Sequence, residues 1–279
     1  MKKFIALALT AVLLLGLLTA CGGEDGPKLR VAMSPDFAPM EFVDASKIGQ
    51  SQFIGFDVSL AKYLAAEMGL TLEIVPMSFD ACQTAVSMGQ VDMAISGFSW
   101  MPDRAEKYNL SITYHAGDNE ANQVLLTTRE NLSRFATAES LAGLRVGAQT
   151  ASLQEWLVKE QIPDATVVPF IDITTGLMQL RKGDFVAMAV AEGNADALLT
   201  ANTDLVKAEF RFEITSDLTD YLILMKKGND ELTATVNDLL TKAAAAGYYD
   251  QWYAQALEMA GVGKEISYDD NGKLATEGK

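Results

Sequence analysis

The stretch Val91–Tyr108, VDMAISGFSWMPDRAEKY, decides the fold that we predict for this sequence. Its first five residues are mostly apolar and form a predicted strand, which small residues follow directly. Pro102 suits the first turn of a helix, where its missing N–H group costs nothing. A strand that leads through small residues into a helix is typical of α/β proteins, whose ligands bind at the carboxyl ends of strands.

Arg104 falls in the first turn of that predicted helix, an end whose dipole favours acidic side chains. A bound anion would explain the residue type there. A carboxylate would accept a bidentate fork from Arg104, together with hydrogen bonds from free backbone N–H groups and the Ser99 hydroxyl. The alternative, from this segment alone, is a surface arginine paired with Asp103 or Glu106.

Outward from this stretch, short apolar runs alternate with amphipathic helical patterns. Predicted strands at 28–33, 71–75 and 91–95 enclose two helices, and the rhythm restarts with strands at 141–148 and 185–190. Strand–helix–strand alternation implies a largely parallel sheet with helices on both faces. The sequence therefore predicts an α/β protein with two such units.

Two helical patterns near the C-terminus have no sheet of their own, so we expect them to return to the first unit. The result is a discontinuous first lobe, an inserted second lobe and two strands that cross between them, with a ligand cleft between the lobes. The predicted boundaries are residues 28–116 and 219–262 for lobe 1, 117–218 for lobe 2 and 263–279 for a polar tail.

The N-terminus predicts export. Two lysines precede the apolar run Phe4–Leu18, which is too short to span a membrane comfortably, so residues 1–20 are predicted to be a signal peptide. Leu18-Thr19-Ala20-Cys21 resembles a bacterial lipobox, so we expect lipid on Cys21 and a flexible tether over residues 21–27. The alternatives are an uncleaved anchor helix and an ordinary cleaved signal. In each case the protein is expected to work outside the cytoplasm, and lipid would anchor it to the cell membrane.

Composition excludes several classes of function. The formal net charge is −15 and the basic residues are scattered singly, whereas nucleic-acid binding needs concentrated lysine and arginine. His115 has no acidic or cysteine neighbour in a ligand spacing, and no G-x-S-x-G motif occurs. We therefore expect no metal, no cofactor and no hydrolase triad. If Cys21 carries lipid, Cys82 is the remaining thiol and no intrachain disulfide is expected.

A second anion-binding end is predicted in the second unit at TASLQEW, residues 150–156. Ser152 and Glu155 match the S-x-x-E capping box, and the turn before such a helix leaves backbone N–H groups free. A plain helix cap is the alternative interpretation of the same residues.

Other candidates flank the first site. Phe37, Met40 and Phe79 can form an apolar wall beside it, although each residue of this type, taken singly, is more often part of a core. Glu192 follows a predicted strand at its carboxyl end, where it could neutralise a ligand ammonium group. Helix capping is the alternative for Glu192.

Six segments in chain order carry a resemblance to a known family. They are FAPMEF, IGFDVSLAKYLAAEMG, SFDACQTAVSMGQVDMAISGFSWMPDRAEKYNLS, LAGLRVGAQTASLQEW, LRKGDF and LMKKGNDELTATVNDLL with the later GYYDQWY. The set covers about residues 29–255 and includes the pattern GxxDxxISGxSxxxxR. It resembles the bacterial extracellular solute-binding proteins of family 3, which are receptors of polar amino-acid ABC importers with a type II periplasmic-binding-protein fold.

The resemblance implies that Arg104 binds a ligand α-carboxylate with help from Ser99 and Ser152. It also implies that the Gly97 carbonyl accepts from the α-ammonium group, and that Phe37 and Phe79 sandwich the ligand side chain. The predicted ligand-binding set is Arg104, Ser99, Gly97, Ser96, Ser152, Phe37, Phe79, Glu192, Met40 and Ser34.

The sequence departs from the family pattern at two acids. Ser34 stands where the family often has an aspartate in the first-strand loop. Ala191, with Glu192 one residue later, stands where an aspartate commonly binds the ammonium group. These departures lead us to expect a polar or uncharged ligand rather than a strongly basic one.

The leading hypothesis is a monomeric, lipid-anchored binding protein that delivers an amino acid or a similar small carboxylate to a membrane permease. One alternative is an exported dehydratase-like enzyme on the same fold, with Glu192 as general acid. Another is a signalling receptor that closes on its ligand to engage a partner.

Overall fold

A computed structural model of the protein describes residues 26–114, 122–215, 218 and 220–262. The predicted signal peptide, Cys21, His115 and the polar tail lie outside these residues. In chain order the strands are β1 Lys28–Met33, β2 Asp36–Phe37, β3 Glu41–Val43, β4 Phe53–Ile54, β5 Thr71–Pro76, β6 Met93–Ser99, β7 Tyr108–Leu110, β8 Gln123–Thr128, β9 Arg145–Gln149, β10 Thr166–Phe170, β11 Ala187–Ala191, β12 Leu205–Arg211 and β13 Tyr221–Lys226. The α-helices are α1 Phe56–Glu67, α2 Phe79–Met88, α3 Pro102–Lys107, α4 Leu153–Gln161, α5 Ile173–Lys182, α6 Glu192–Ala201, α7 Asp230–Ala245 and α8 Tyr248–Met259.

Two five-stranded sheets organise the molecule. The first has the order β5–β1–β6–β13–β7, in which β1 pairs in parallel with β5 and β6, and β13 pairs antiparallel with β6 and β7. The second has the order β10–β9–β11–β8–β12, with β9 parallel to both neighbours and β8 antiparallel to both of its own. We refer to the first sheet and its helices as the first lobe, and to the second sheet and its helices as the second lobe. The predicted α/β class with two lobes is confirmed.

Helices cover both faces of each sheet, so the central strands are buried on both sides. One core of the first lobe joins Val31 and Phe56 to Val236 of α7 and Ala256 of α8. The two C-terminal helices therefore pack on the first sheet, far along the chain from its first strand. The exact lobe boundaries that we gave above stay a prediction.

A small antiparallel sheet, β2–β3–β4, carries residues of the site to the edge of the first lobe. It packs so tightly on the start of α1 that only glycine fits at position 55. A Cβ atom on Gly55 would lie 2.3 Å from the Met40 carbonyl oxygen, far inside contact distance. The hairpin thus fixes where Asp36, Phe37 and Glu41 stand.

Strand β6 is longer than the sequence pattern indicates. We predicted a strand that ends at residue 95, whereas β6 continues to Ser99. The reason is a partner from the far end of the chain, because Tyr221 and Leu222 of β13 pair with Ser99 and Phe98. Ser96 and Gly97 are therefore part of a strand rather than of a turn that follows it.

Candidate functional site

A cavity lies between the two lobes, at the carboxyl ends of β1, β6 and β9. Part of the predicted ligand-binding set lines it, namely Ser34, Phe37, Phe79, Ser96, Gly97, Ser99, Arg104 and Ser152. The cavity is also lined by residues that the sequence did not single out, namely Asp36, Glu41, Gln149, Leu153, Gln154 and Tyr221. Side chains from both lobes thus enclose one space.

Arg104 is a buried cation, with only 1% of its surface exposed. Its guanidinium donates to the Ser99 carbonyl at 2.7 Å and to the Ala151 carbonyl at 2.9 Å. The stacked rings of Phe79 and Phe98 lie near it, with their centroids at 5.6 and 5.3 Å from its central carbon, which favours a cation. Burial lowers the pKa of Arg104 to about 10, so it stays charged at neutral pH.

No carboxylate of the described residues forms a salt bridge with Arg104. Asp103 is exposed and pairs instead with Lys107 at 3.2 Å, so the alternative of a surface arginine paired with Asp103 is wrong. A buried charge is costly without a counter-ion, and an arginine fork matches the two oxygens of a carboxylate. The geometry therefore provides an anion site at this end of the cavity.

Ser152 both caps a helix and lines the cavity. It begins α4, and its hydroxyl oxygen accepts a hydrogen bond from the Glu155 N–H at 3.1 Å, which is the helix-capping contact. It also lines the cavity from the second lobe. The preceding Ala151 has a left-handed backbone with φ of 60°, which turns its carbonyl toward Arg104.

Gly97 occupies a position that admits no side chain. Its φ is 58°, and a Cβ atom would lie 2.8 Å from the Phe37 ring. Its N–H donates to the Asp57 carboxylate at 2.9 Å. The backbone of Gly97 therefore forms part of the cavity wall directly under Phe37.

Two acidic side chains lie at the other end of the cavity. Asp36 accepts from the Ser34 hydroxyl at 2.9 Å and from the Ile173 N–H of the second lobe at 2.6 Å. Burial raises the pKa of Asp36. Glu41 is fully buried, and its pKa is raised well above its usual value by burial and by the charge of Asp57. Ser34 therefore does not replace an acid here, since it orients one.

The sequence contained a signal for these acids that local reasoning did not use. Both lie in SPDFAPMEF, the segment from which Phe37 and Met40 were chosen, and Glu41 stands between two apolar residues. A charged residue inside an apolar run is informative, because charged side chains are seldom fully buried without a partner.

Met40 and Glu192 do not line the cavity. Met40 is fully buried in the core that contains Phe56, so the core interpretation applies. Glu192 begins α6 and forms a salt bridge with Lys207 of β12 at 2.8 Å, while Asn122 donates to its other oxygen at 3.0 Å. The hydrogen bond from Lys207 lowers the pKa of Glu192, so this carboxylate is ionised and already paired.

We expect Glu192→Gln to leave ligand affinity within about twofold of the parent chain. Such a change is well below the 1.4 kcal/mol that corresponds to a tenfold change in affinity. The carboxylate lies outside the cavity and its partner is Lys207. Isothermal titration of both chains with the same amino acid measures this. A tenfold loss of affinity would return Glu192 to the ligand-binding set.

Besides a longer hydrogen bond from the Gln83 side-chain amide to the Ala151 carbonyl at 3.3 Å, three hydrogen bonds between described residues join the lobes beside the cavity. Arg104 donates to the Ala151 carbonyl at 2.9 Å, and the Ile173 N–H donates to Asp36 at 2.6 Å. The third runs from the Asn194 side-chain amide to the Ala38 carbonyl at 2.9 Å. The lobes are therefore in direct contact around the site.

Within residues 26–114, 122–215 and 220–262, no helix has the length and apolar character to cross a membrane. Over the same ranges, no group of three or more histidine, cysteine, aspartate or glutamate side chains is placed to hold a metal ion.

Two α/β lobes that enclose one cavity, with a buried arginine at one end and acids at the other, define a two-lobed binding protein. The family model of the bacterial extracellular solute-binding proteins, family 3, matches residues 29–259, and the chain belongs to this family. The resemblance and the type II periplasmic-binding-protein fold that we predicted are confirmed.

Relatives of known name agree with this assignment. The chain is 30% identical over 240 residues to the arginine-binding extracellular protein ArtP of Bacillus subtilis, which covers 79% of this chain and 89% of that protein. The structure of the amino-acid ABC transporter substrate-binding protein AbpA of Streptococcus pneumoniae, bound to L-arginine, superimposes with a TM-score of 0.75 at 32% identity, covering 84% and 95%. Membrane-bound lytic murein transglycosylase F of Histophilus somni is 29% identical over 210 residues, but the match spans only 41% of that protein.

These relatives do not support one of our expectations. We expected a polar or uncharged ligand rather than a strongly basic one, whereas ArtP is named for arginine and AbpA was solved with L-arginine. The expectation rested on missing acids at Ser34 and Ala191, and it overlooked Asp36 and Glu41 in the cavity.

Proposed function

We propose that this protein is the extracytoplasmic receptor of an amino-acid ABC importer, and that its ligand is an amino acid with a positively charged side chain. The observation that carries the proposal is the charge of the cavity lining. A buried arginine without a carboxylate partner among the described residues stands at one end, and the buried Glu41 and half-buried Asp36 stand at the other. The family to which the chain belongs supports the binding role.

The carboxylate end is Arg104 with Ser99 and Ser152. The Arg104 guanidinium uses three of its five N–H groups on protein acceptors, which leaves two for a ligand. A ligand α-carboxylate would accept from these two groups, and the hydroxyl of Ser152 borders the same space. The ligand would supply the negative charge that this buried cation lacks.

The side-chain end is Asp36 with Glu41. When both acids are ionised, the lining carries two carboxylates and one guanidinium, so one negative charge is left over. A zwitterion with a neutral side chain would leave that charge unbalanced in a buried site, whereas a side-chain ammonium or guanidinium would balance it. The names of ArtP and AbpA point in the same direction.

The α-ammonium group and the apolar part of the ligand have candidate partners as well. The Gly97 carbonyl belongs to the cavity wall, and its family counterpart accepts from the ammonium group. Phe37 packs edge-on against Tyr221 and covers Gly97, so its ring is held where a ligand side chain would pass. Phe79 stacks on Phe98 and flanks Arg104.

Delivery follows from closure of the two lobes around the ligand, which a membrane permease would recognise. A lipid on Cys21 would keep the receptor at the outer surface of the cell membrane, and we retain a monomer as the working state. The enzyme alternative loses its general acid, because Glu192 is ionised and paired with Lys207 outside the cavity.

The test is isothermal titration of the purified protein with L-arginine, L-lysine, L-citrulline and L-glutamate above neutral pH. We expect one L-arginine per chain, bound at least about tenfold more tightly than its neutral isostere L-citrulline, a difference of about 1.4 kcal/mol. L-Glutamate should give no heat. Absence of heat from all four compounds would overturn the amino-acid assignment, and equal affinities for L-arginine and L-citrulline would overturn the charge assignment.

A further inference from the structure

Three carboxyl groups lie together behind and beside the cavity, and they differ in how they are hydrogen-bonded. Asp36 accepts from the Ser34 hydroxyl and the Ile173 N–H. Asp57 accepts from the Gly97 N–H at 2.9 Å and from the Tyr114 hydroxyl at 2.9 Å. Each of these two acids therefore has a hydrogen-bond donor on each of its two oxygens. Such donors stabilise an ionised carboxylate.

Glu41 is the exception in the group. Its Oε1 atom accepts from the Ser96 hydroxyl, but its Oε2 atom is buried and has no hydrogen-bond partner among the described residues. Ser96 in turn accepts from the Ser34 N–H at 3.0 Å, so its own hydroxyl proton points to Glu41. Oε1 therefore has a hydroxyl partner, whereas Oε2 has none among the described residues and is the oxygen that can hold a proton.

We propose that Glu41 exchanges its proton for the positive charge of the ligand side chain, so that the charge state of this one residue decides which ligand the site accepts. This inference rests on the proposed function, since it concerns the same cavity. Protonated Glu41 donates from Oε2 to a neutral acceptor such as an amide oxygen. Ionised Glu41 accepts from an ammonium or guanidinium group, and the proton it gives up passes to the solvent.

The charged neighbours of Glu41 favour its protonated form until a cation arrives. Asp57 lies behind it and Asp36 beside it, and both raise its pKa after burial itself, while no lysine or arginine of the described residues forms a salt bridge with it. Arg104 lines the same cavity, but its N–H groups donate to Ser99, Ala151 and Gln83.

The neutral groups around the three acids complete this environment. Burial, followed by nearby acids, raises the pKa of both the Cys82 thiol and the Tyr114 hydroxyl, so neither brings a charge at neutral pH. Burial raises the pKa of Asp57 to about 6, which leaves it mostly ionised above that pH. The proton of the group is therefore assigned to Glu41.

The sign of the pH dependence follows directly. A cation binds the ionised form of Glu41, so its affinity falls as the pH falls below the pKa of Glu41 in the empty site. For one proton released per ligand, the affinity for L-arginine changes by about tenfold per pH unit in that range. L-Citrulline has the same shape without the charge, so its affinity should stay level or change in the opposite direction.

The experiment is titration calorimetry of the purified protein with L-arginine and L-citrulline, each in two buffers of different ionisation enthalpy, over a pH series that starts above about 6, the pKa of Asp57. We expect release of up to one proton per L-arginine bound, increasing as the pH falls below the pKa of Glu41 in the empty site, and no release with L-citrulline. The ratio of the two affinities should rise with pH.

Glu41→Gln supplies the matched variant, with Glu67→Gln on the exposed end of α1 as its control. Glu41→Gln should remove proton release, weaken L-arginine by about tenfold or more and leave L-citrulline bound. Glu67→Gln should match the parent chain. If Glu41→Gln does not fold, the two ligands on the parent chain still decide the matter. L-Arginine binding without proton release overturns this inference alone, whereas binding of neither compound overturns the proposed function with it.

Discussion

Arg104→Ala should weaken the binding of any amino acid by roughly 100- to 3,000-fold, which corresponds to about 3–5 kcal/mol. The reason is that the ligand carboxylate would be buried in the closed cavity without its guanidinium partner. The affinity of Arg104→Lys should lie between those of the parent chain and Arg104→Ala, since lysine keeps the charge but cannot form a bidentate fork. Isothermal titration with L-arginine measures both variants.

The control for this prediction is Lys107→Ala, which removes an exposed cation from the same helix. It should leave affinity unchanged. Because Arg104 also donates to the Ser99 and Ala151 carbonyls, its loss should lower the melting temperature as well, so circular dichroism must first establish that the variant is folded. A folded Arg104→Ala chain that still binds with parental affinity would show that the carboxylate is held elsewhere.

Gly97→Ala should reduce the space inside the cavity. An added methyl group would lie 2.8 Å from the Phe37 ring, so the ring must move into the space that the ligand occupies. We expect the affinity for L-arginine to fall by about tenfold or more, and the clash to add about 1–3 kcal/mol of destabilisation. Titration and thermal melting measure the two effects separately.

The matched control for Gly97→Ala is Gly49→Ala. Gly49 has nearly the same φ, 60° against 58° for Gly97, but a Cβ atom on it would meet no atom within 4 Å. Both variants share the strain of a left-handed alanine, about 1–2 kcal/mol. The difference between them isolates the contact with Phe37. Equal losses of stability and no loss of affinity in Gly97→Ala would contradict the predicted clash.

The class of fold was predictable because it is encoded locally. Apolar runs, helical patterns and Pro102 are all read within a window of a few residues, and their alternation is enough to specify a two-lobed α/β protein. The end of β6 was not predictable in this way. Its last residues are strand because Tyr221 pairs with Ser99, and these two residues lie more than a hundred positions apart.

The site was partly predictable for a related reason. Arg104 and Gly97 belong to one continuous segment whose residue types conflict with ordinary helix and strand preferences, so they were noticeable. Asp36 and Glu41 look like ordinary loop acids until the hairpin folds, which buries Glu41 fully and Asp36 in part. Glu192 has no basic neighbour in its own segment, but Lys207 of β12 forms a salt bridge with it. Burial and ion pairing at these positions depend on distant partners, which a local pattern does not contain.

The hydrogen bonds between the lobes have a consequence for the thermodynamics of capture. The bond between Asn194 and Ala38 joins two residues that do not line the cavity, so it biases the equilibrium between open and closed forms independently of what is bound. The measured dissociation constant is the intrinsic dissociation constant of the binding-competent form divided by the fraction of molecules in that form, which this bias sets. Substitutions at Asn194 would therefore retune affinity by changing how much of the population is ready to close, while every atom that touches the ligand stays the same.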